Sequence, residues 1–334
     1  MDLVDKPNGE ERRLHTKPIP RIGGILVFLV IIVTTLLFYH DVASIKYFIA
    51  GAIIIFLLGL VDDIRNVKWN IKFLFQTFGS FLLLFSFYTN NYTVIKFLDL
   101  TIPPGLDYLI MFFLIVGLLN SFNLLDGMDG LVSGYSLIIA LMCLILSYKA
   151  KDSFTPFLAS TIIGTTLGFL IFNRNPAKIF LGDSGSLTLG YFITFLVILI
   201  SAEIRPADSD YFQINEKTID LSFIIISLAL PMIDTLRVLF IRIYNKNHPF
   251  LADKNHLHHL LYSKNISHKR VVFVIHLISI GSALIAISYF IFPSKVLTTI
   301  VFIIFSIILF FINNILDAIT SNELFKRFLV KIKK

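Results

Sequence analysis

Residues 107–130 read Asp107-Tyr-Leu-Ile-Met-Phe-Phe-Leu-Ile-Val-Gly-Leu-Leu-Asn-Ser-Phe-Asn-Leu-Leu-Asp-Gly-Met-Asp-Gly130. From 107 to 125 the stretch is almost wholly apolar and long enough to cross a bilayer, which takes about 17–25 such residues. It then ends in a run of oxygen-bearing side chains: Asn120, Ser121, Asn123, Asp126 and Asp129. An apolar span that closes on carboxylates and carboxamides is the pattern repeated along the chain. The composition agrees. The 334 residues are 56% hydrophobic and only 15% charged, with a mean hydropathy of +0.81. A soluble domain carries about 25% charged residues, so this chain lacks the charge to clothe a water-facing surface. Disorder is excluded for the same reason. The single Cys143 lies in an apolar run and excludes a disulfide framework or a cysteine metal site.

Nine further apolar stretches bring the expected spans to about ten: 22–39, 44–61, 71–88, 107–125, 131–148, 155–172, 185–202, 219–241, 271–292 and 296–316. Strand-period alternation is absent, which argues against a β-barrel. The expected fold is all-α, one polytopic membrane domain over 1–334. Phe292-Pro293-Ser294 reads as a tight turn between the last two spans. Ten spans place both termini on one side. The opposite side then carries seven basic residues, Lys46, Lys96, Lys149, Lys151, Arg205, Lys217 and Lys295, out of 29 Lys and Arg in all. By the positive-inside rule the side with the termini faces the cytoplasm. The net charge of +7 is thus a topology signal rather than a nucleic-acid footprint. Residues 1–21 are polar, with no stretch resembling a signal peptide, so the first span is expected to direct insertion.

Charge within or at the end of a span is costly and needs a reason. Gly59-Leu-Val-Asp62-Asp63 closes one span with adjacent acids, which oppose the helix dipole and repel each other. A cation that neutralises them is the functional reading; an interfacial helix end is the plain one. In the 120–130 loop, Asn123, Asp126 and Asp129 recur every third residue, so one helical turn puts their oxygens on one face. Asp-Gly is also an ordinary turn dipeptide. Asn173-Arg-Asn-Pro-Ala-Lys-Ile-Phe-Leu-Gly182-Asp183-Ser184-Gly185-Ser186 offers backbone N–H groups to phosphate at a helix start, or simply starts a helix. Its spacing is not that of a P-loop. His256, His258 and His259 begin a metal site without completing one; a solvated loop or anion contact fits as well. Lys17-Pro18-Ile-Pro20-Arg21-Ile-Gly23-Gly24 is a rigid basic turn before the first span. Span parity sends all five clusters to one membrane face. Carboxylates with Asn and Ser oxygens suit Mg²⁺, and the surrounding basic residues suit phosphates. The expected active-site loops are 1–21, 62–70, 120–130, 173–185 and 242–270.

With these residues in view, the chain resembles the polyprenyl-phosphate N-acetylhexosamine-1-phosphate transferases. The resemblance rests on Pro18-Ile-Pro-Arg21-Ile-Gly-Gly24, Gly59-Leu-Val-Asp-Asp63, Asn120-Ser-Phe-Asn-Leu-Leu-Asp-Gly-Met-Asp-Gly-Leu131, Phe180-Leu-Gly-Asp-Ser-Gly-Ser186 and His256-Leu-His-His259, in that order. It implies transfer of an N-acetylhexosamine-1-phosphate, GlcNAc-1-phosphate first among them, from a UDP-sugar to undecaprenyl phosphate with release of UMP. That is the first membrane step of an envelope polysaccharide such as O-antigen or teichoic acid, at the inner membrane of a bacterium. It also implies Mg²⁺, with Mn²⁺ as a substitute, held by Asn123 and Asp183. It implies catalytic roles for Asp62, Asp63, Asp126 and Asp129, and substrate contacts from Arg21, Asn120, His256, His258 and His259. Of Asp62 and Asp63, one is the candidate base. A phosphate monoester has its second pKa near about 6, so positioning the acceptor matters more than deprotonating it. A homodimer is allowed for, and nucleic acid is not a partner. The His-x-His-His form after Pro249-Phe250 and Asp253 is similar to the GlcNAc branch. The peptidoglycan branch, acting on a UDP-MurNAc-pentapeptide, is the second reading, and a secondary transporter the third. In the GlcNAc branch an apolar helix precedes the stretch matching Asp5-Lys-Pro7 and His15-Thr-Lys-Pro18. This sequence starts at Met1-Asp2, so a start lying further upstream is expected.

Overall fold

The computed structural model describes residues 4–5, 18–98, 100–148, 153–203, 217–248, 254–292, 295–312 and 314. Four parts of the expected picture lie outside them: the basic stretch before Pro18, the Pro249-Phe250 and Asp253 positions, the turn at Pro293-Ser294 and the basic tail.

The chain is predominantly helical. Its helices are α1 (Gly23–Phe38), α2 (Lys46–Arg65), α3 (Trp69–Thr89), α4 (Leu106–Leu125), α5 (Leu131–Ser147), α6 (Phe154–Asn173), α7 (Gly182–Glu203), α8 (Leu221–Ser227), α9 (Ala229–Tyr244), α10 (Leu257–Ser263), α11 (His268–Ile291) and α12 (Lys295–Phe310). Helix occupies every stretch read as a span. Six helices are long and apolar enough to cross a bilayer, or seven if the bent pair α8–α9 counts as one. α1, α5 and α12 have 16, 17 and 16 described residues. At 1.5 Å per residue these reach about 24–26 Å, short of a hydrocarbon core of about 30 Å. Among the described residues, these three are shorter than the six or seven helices that meet the length of a crossing. The protein is nonetheless a multi-pass membrane protein, with apolar side chains exposed along α1, α3, α11 and α12 where lipid replaces water.

Two local features depart from a purely helical reading. Tyr92–Phe97 (β1) pairs antiparallel with Leu100–Thr101 (β2) and parallel with Lys217–Asp220 (β3). The pairing brings together Val94 and Ile95 with Thr218 and Ile219, β-branched residues that suit a pleated surface. The expected eighth span therefore begins as a strand at 217. It then breaks, because α8 and α9 meet at 81°. Pro231 accounts for the break: it has no N–H to return to the carbonyl of Ser227. That carbonyl instead accepts from the Tyr135 hydroxyl at 3.4 Å.

α7 is the axis of the fold and is buried along Ser184–Ala202. Its neighbours reach it through small residues, as membrane helices do when no hydrophobic effect drives them together. A Cβ built at Gly59 of α2 would stand 2.5 Å from Ser184 Cα and 2.6 Å from the Asp183 carbonyl. One at Gly24 of α1 would collide with the backbone of Gly185. Two first-turn N–H groups of α1 are satisfied by the strand-like approach to α7: Gly23 N donates to the Phe180 carbonyl at 3.0 Å and Gly24 N to that of Leu181 at 2.9 Å. Phe180 N returns a bond to the Pro20 carbonyl at 2.9 Å. The juxtamembrane Pro18–Gly24 motif is thereby fastened to the Phe180–Ser186 motif.

Because the obstruction at Gly59 is backbone, a side-chain rotation cannot relieve it. Gly59→Val is expected to destabilise the protein by about 1–3 kcal/mol, the usual cost of overpacking. Gly164→Ala and Gly168→Ala, whose added Cβ would meet nothing within 4 Å, should be near neutral. Thermal unfolding in detergent compares them, and an unchanged midpoint for Gly59→Val would contradict this packing.

Candidate active site at the head of the central helix

The first turn of α7 has backbone N–H groups that lack helical partners. Asp63, from the end of α2, supplies them. Its Oδ1 accepts from Asp183 N at 2.8 Å, and its Oδ2 from Ser184 N at 2.9 Å and Ser184 Oγ at 2.7 Å. A carboxylate here also meets the positive end of the helix dipole. Asp63 is thus a cap supplied by another helix, and its acceptor capacity is largely spent.

The adjacent Asp62 points elsewhere. It is 3% exposed. Its Oδ1 accepts from Val67 N at 2.6 Å, which fastens the turn after α2, where Asn66 adopts a left-handed conformation at φ 50°. Its Oδ2 pairs with the ammonium of Lys72 on α3. Lys72 Nζ also lies 3.3 Å from Asp183 Oδ2. One lysine therefore bridges Asp62 and Asp183, and the repulsion expected between Asp62 and Asp63 is met by giving each its own partner. Asp183 keeps 37% of its side chain exposed and Lys72 28%, so this pair faces the open part of the site.

On the far side of α7, Asn123 Nδ2 donates to Ser186 Oγ at 3.1 Å, and the Asn123 carboxamide also reaches Asp183. Asp183, Asn123 and Ser186 make a set of hard oxygen donors. Among the described residues no three His, Cys, Asp or Glu side chains gather into a self-sufficient metal cage. The set fits an ion that takes one or two carboxylates and leaves positions for phosphate oxygens, as Mg²⁺ does.

Asp126 caps the end of α4 beside this group. Burial raises its carboxyl well above the usual range, the nearby charges of Asp183 and Asp63 raise it further, and Arg21 opposes them. Asp129 is tied down. Its Oδ2 accepts from Asn175 Nδ2 at 2.9 Å and Ala177 N at 3.1 Å, and its own N–H donates to His268 Nε2 at 3.2 Å. It clamps the 120–130 loop to the loop before α7. Asn173 reinforces the clamp: its Oδ1 accepts from Gly130 N and Ser133 Oγ, both at 3.0 Å, and its Nδ2 donates to the Ile179 carbonyl at 3.0 Å. Asn120 donates to Gln76 Oε1 on α3 and to the Val116 carbonyl of its own helix, both at 2.9 Å, which makes it an interhelical tie.

The histidines close the remaining side. A Cβ at Gly127 would land on the His258 ring, so this imidazole rests on the Asp126-Gly127 turn. Burial, assisted by neighbouring His259, lowers its pKa to about 3, and it is neutral at physiological pH. His258 and His259 lie 4.2 Å apart by ring centroids, and His256 stacks on His258 at 6.1 Å. Residues from all five sequence clusters thus meet at one end of the bundle. Reading by cluster missed Lys72 and His268, and it gave Asn175 no role of its own. Lys72 counted only toward orientation, although a lone cation one turn inside an apolar helix is a signal in its own right.

Asp126 gives a test with a definite sign. A carboxyl raised in the folded state binds more protons folded than unfolded, so its contribution to stability falls as pH rises. Without divalent ions, Asp126→Asn is expected to raise the melting midpoint at pH 7 by about 2–4 °C, near 1 kcal/mol. The gain should shrink as pH falls below the raised range and vanish only in the ordinary carboxylate range, about 4, where the unfolded carboxyl is neutral as well. A lower midpoint at pH 7 would contradict the burial of a destabilising charge.

Residues 45–201 match the family described as Glycosyl transferase family 4. A probable undecaprenyl-phosphate N-acetylglucosaminyl 1-phosphate transferase of Bacillus subtilis is 32% identical over 332 residues, 98% of this chain and 88% of that protein. An undecaprenyl-phosphate alpha-N-acetylglucosaminyl 1-phosphate transferase of Thermotoga maritima is 31% identical over 302 residues, 89% and 86% of the two chains. A phospho-N-acetylmuramoyl-pentapeptide-transferase of Clostridioides difficile is 33% identical over 219 residues, 60% of this chain and 67% of that one. With the head of α7 ringed by the motifs that carry the resemblance, and with this similarity running nearly end to end, the chain belongs to glycosyl transferase family 4.

Proposed function

We propose that this protein transfers an N-acetylhexosamine-1-phosphate, GlcNAc-1-phosphate in the first instance, from a UDP-sugar to undecaprenyl phosphate. The observation that carries the reading is the meeting of Asp62, Lys72, Asp183, Asn123 and Ser186 at the head of α7. Such a group, net negative by itself, suits a divalent ion that would in turn balance phosphate charge, and it brings no nucleophile of its own. The similarity to the Bacillus subtilis and Thermotoga maritima transferases over most of the chain favours the GlcNAc branch over the peptidoglycan branch. A transporter's site belongs near the bilayer midplane on broken helices, whereas these groups sit at helix ends.

In this reading an oxygen of the lipid phosphate bonds to the β-phosphorus of the donor. The bond from that phosphorus to the oxygen bridging it to UMP breaks, and UMP carries the electron pair away. One diphosphate replaces another, so no ATP is consumed. The protein's task is alignment and charge neutralisation, the main terms in phosphoryl transfer. Asp183 and Asn123 would hold Mg²⁺, or Mn²⁺ in its place, and the ion would supply neutralisation of the phosphate oxygens. Lys72 offers its ammonium to phosphate while Asp62 keeps it in place. The acceptor approaches from the Asp62–Lys72 side, where Val61, Ile64, Ile71 and Phe73 are exposed and apolar. Asp63, occupied as a cap, positions α7 and is not the base. Arg21 and the histidines face the donor. The excess of Lys and Arg on the side of the site supports a position at the cytoplasmic face of a bacterial inner membrane.

Purified protein given undecaprenyl phosphate, Mg²⁺ and a panel of UDP-sugars is expected to form a lipid-linked sugar with UDP-GlcNAc, one UMP per lipid product, resolved by mass analysis. No lipid product from any sugar would overturn the reading. Chelation of divalent ions should stop the reaction. Asp183→Asn should slow UMP release by about 100-fold or more, the scale for losing an electrostatic contact to a reacting group. Near wild-type activity for Asp183→Asn would remove it from the metal.

A further inference from the structure

The loop bearing the histidines is held from beneath by two charged residues of α9. Asp234 and Arg237 are one turn apart and both buried, at 7% and 3% exposure. Arg237 Nη2 donates to Asp234 Oδ1 at 2.8 Å and to the Asn255 carbonyl at 2.5 Å. Asp234 Oδ1 also accepts from Leu257 N at 3.0 Å. α10 has no cap from its own N-terminal residue, so Asp234 serves as one from a distance. Its second oxygen, Oδ2, lies 2.9 Å from His256 Nδ1.

A carboxylate is an acceptor only, so His256 Nδ1 must carry the proton in that contact. The tautomer and the ring plane are thereby set, as when a carboxylate orients a catalytic histidine. The opposite atom, His256 Nε2, is buried and has no hydrogen-bond partner, and the same holds for both ring nitrogens of the stacked His258. Leaving a buried polar atom unpaired costs about 1–3 kcal/mol. A clamp of four polar contacts that orients a ring toward such a cost makes physical sense when a ligand supplies the missing partner. The stack rests on the Asp126-Gly127 turn, whereas the exposed apolar residues beside Lys72 belong to α2 and α3. That location fits the water-soluble donor rather than the lipid.

Resting on the function proposed above, we propose that Asp234 and Arg237 are positioning residues that hold His256 with Nε2 directed to an oxygen of the nucleotide-sugar donor. Neither residue touches substrate. Their effect passes through His256.

The test compares KM for the nucleotide sugar with KM for the lipid, in enzyme shown to be monodisperse in detergent. His256→Asn keeps an amide where Nδ1 bonds Asp234 but has nothing at the Nε2 position. It is expected to raise donor KM about 10-fold or more, the loss of one hydrogen bond to a charged group, and to leave lipid KM unchanged. His256→Gln, whose amide extends to the Nε2 position, should recover most of the donor affinity. Asp234→Asn should reproduce the donor defect and add nothing to it in the His256→Asn background, the non-additivity of residues acting as one unit. If Asp234→Asn does not fold, Arg237→Lys replaces it in the same cycle, with a smaller donor defect that also disappears in the His256→Asn background. Donor KM unchanged in His256→Asn, multiplicative effects in the cycle, or equal shifts in both KM values would overturn the inference. Wild-type enzyme that forms no lipid-linked sugar would instead overturn the function itself, so the two failures are distinct.

Discussion

Much of this structure hangs on one carboxylate. Asp63 reaches across from the end of α2 and accepts three hydrogen bonds at the start of α7. A helix beginning at the head of a membrane bundle exposes N–H groups that lipid cannot satisfy and that water reaches only in part. Capping them with an anion from a second helix satisfies the bonds and favours the dipole at once. It also fixes the rotation of α7, and with it the place of Asp183. The glycines at 24 and 59 exist in the same service, since α1 and α2 must come within backbone distance of α7 for the cap to reach.

From that fixed point the site assembles in pairs. Asp183 meets Lys72 and Asn123; Lys72 meets Asp62; Asn123 meets Ser186. A supporting ring holds this group in place. Asp129, Asn173 and Asn120 each bond across elements and so fasten loops and helices around it. The distinction matters chemically. A group that must bind a phosphate or an ion needs capacity to spare, and Asp183, Lys72 and His256 retain it where Asp63 does not.

Sequence reading went far here because charge is scarce. In a chain that is 15% charged, each acid within or beside an apolar run stands out, and span parity alone brings the five clusters to one face. Lys72 shows where such reading stops. As one of 29 basic residues it carried only an orientation signal, and its role between Asp62 and Asp183 depends on α3 packing against α2 and α4 so that its first turn reaches the head of α7. Asp234 shows the same limit from another side. By the rule that charge within a span needs a reason, Asp234 and Arg237 inside the 219–241 stretch were visible, but the partner that explains them, His256, is 22 residues away in sequence. The 219–241 stretch was apolar enough to read as a single span. Pro231 broke it, and strand pairing of Lys217–Asp220 with Tyr92–Phe97 claimed its start.

The sequence by itself determined that the chain is a helical, many-times-crossing membrane protein whose oxygen ligands collect at one face. Hydropathy and charge are local quantities, and the bilayer turns their order along the chain into sidedness. The division of labour among those ligands was decided only by the tertiary structure. Asp62 and Asp63 are chemically identical neighbours. Successive residues on a helix point about 100° apart, so one faces α3 and its lysine while the other faces the N–H groups of α7. Which of two equal carboxylates becomes a cap and which the partner of a cation depends on what the fold sets opposite each of them.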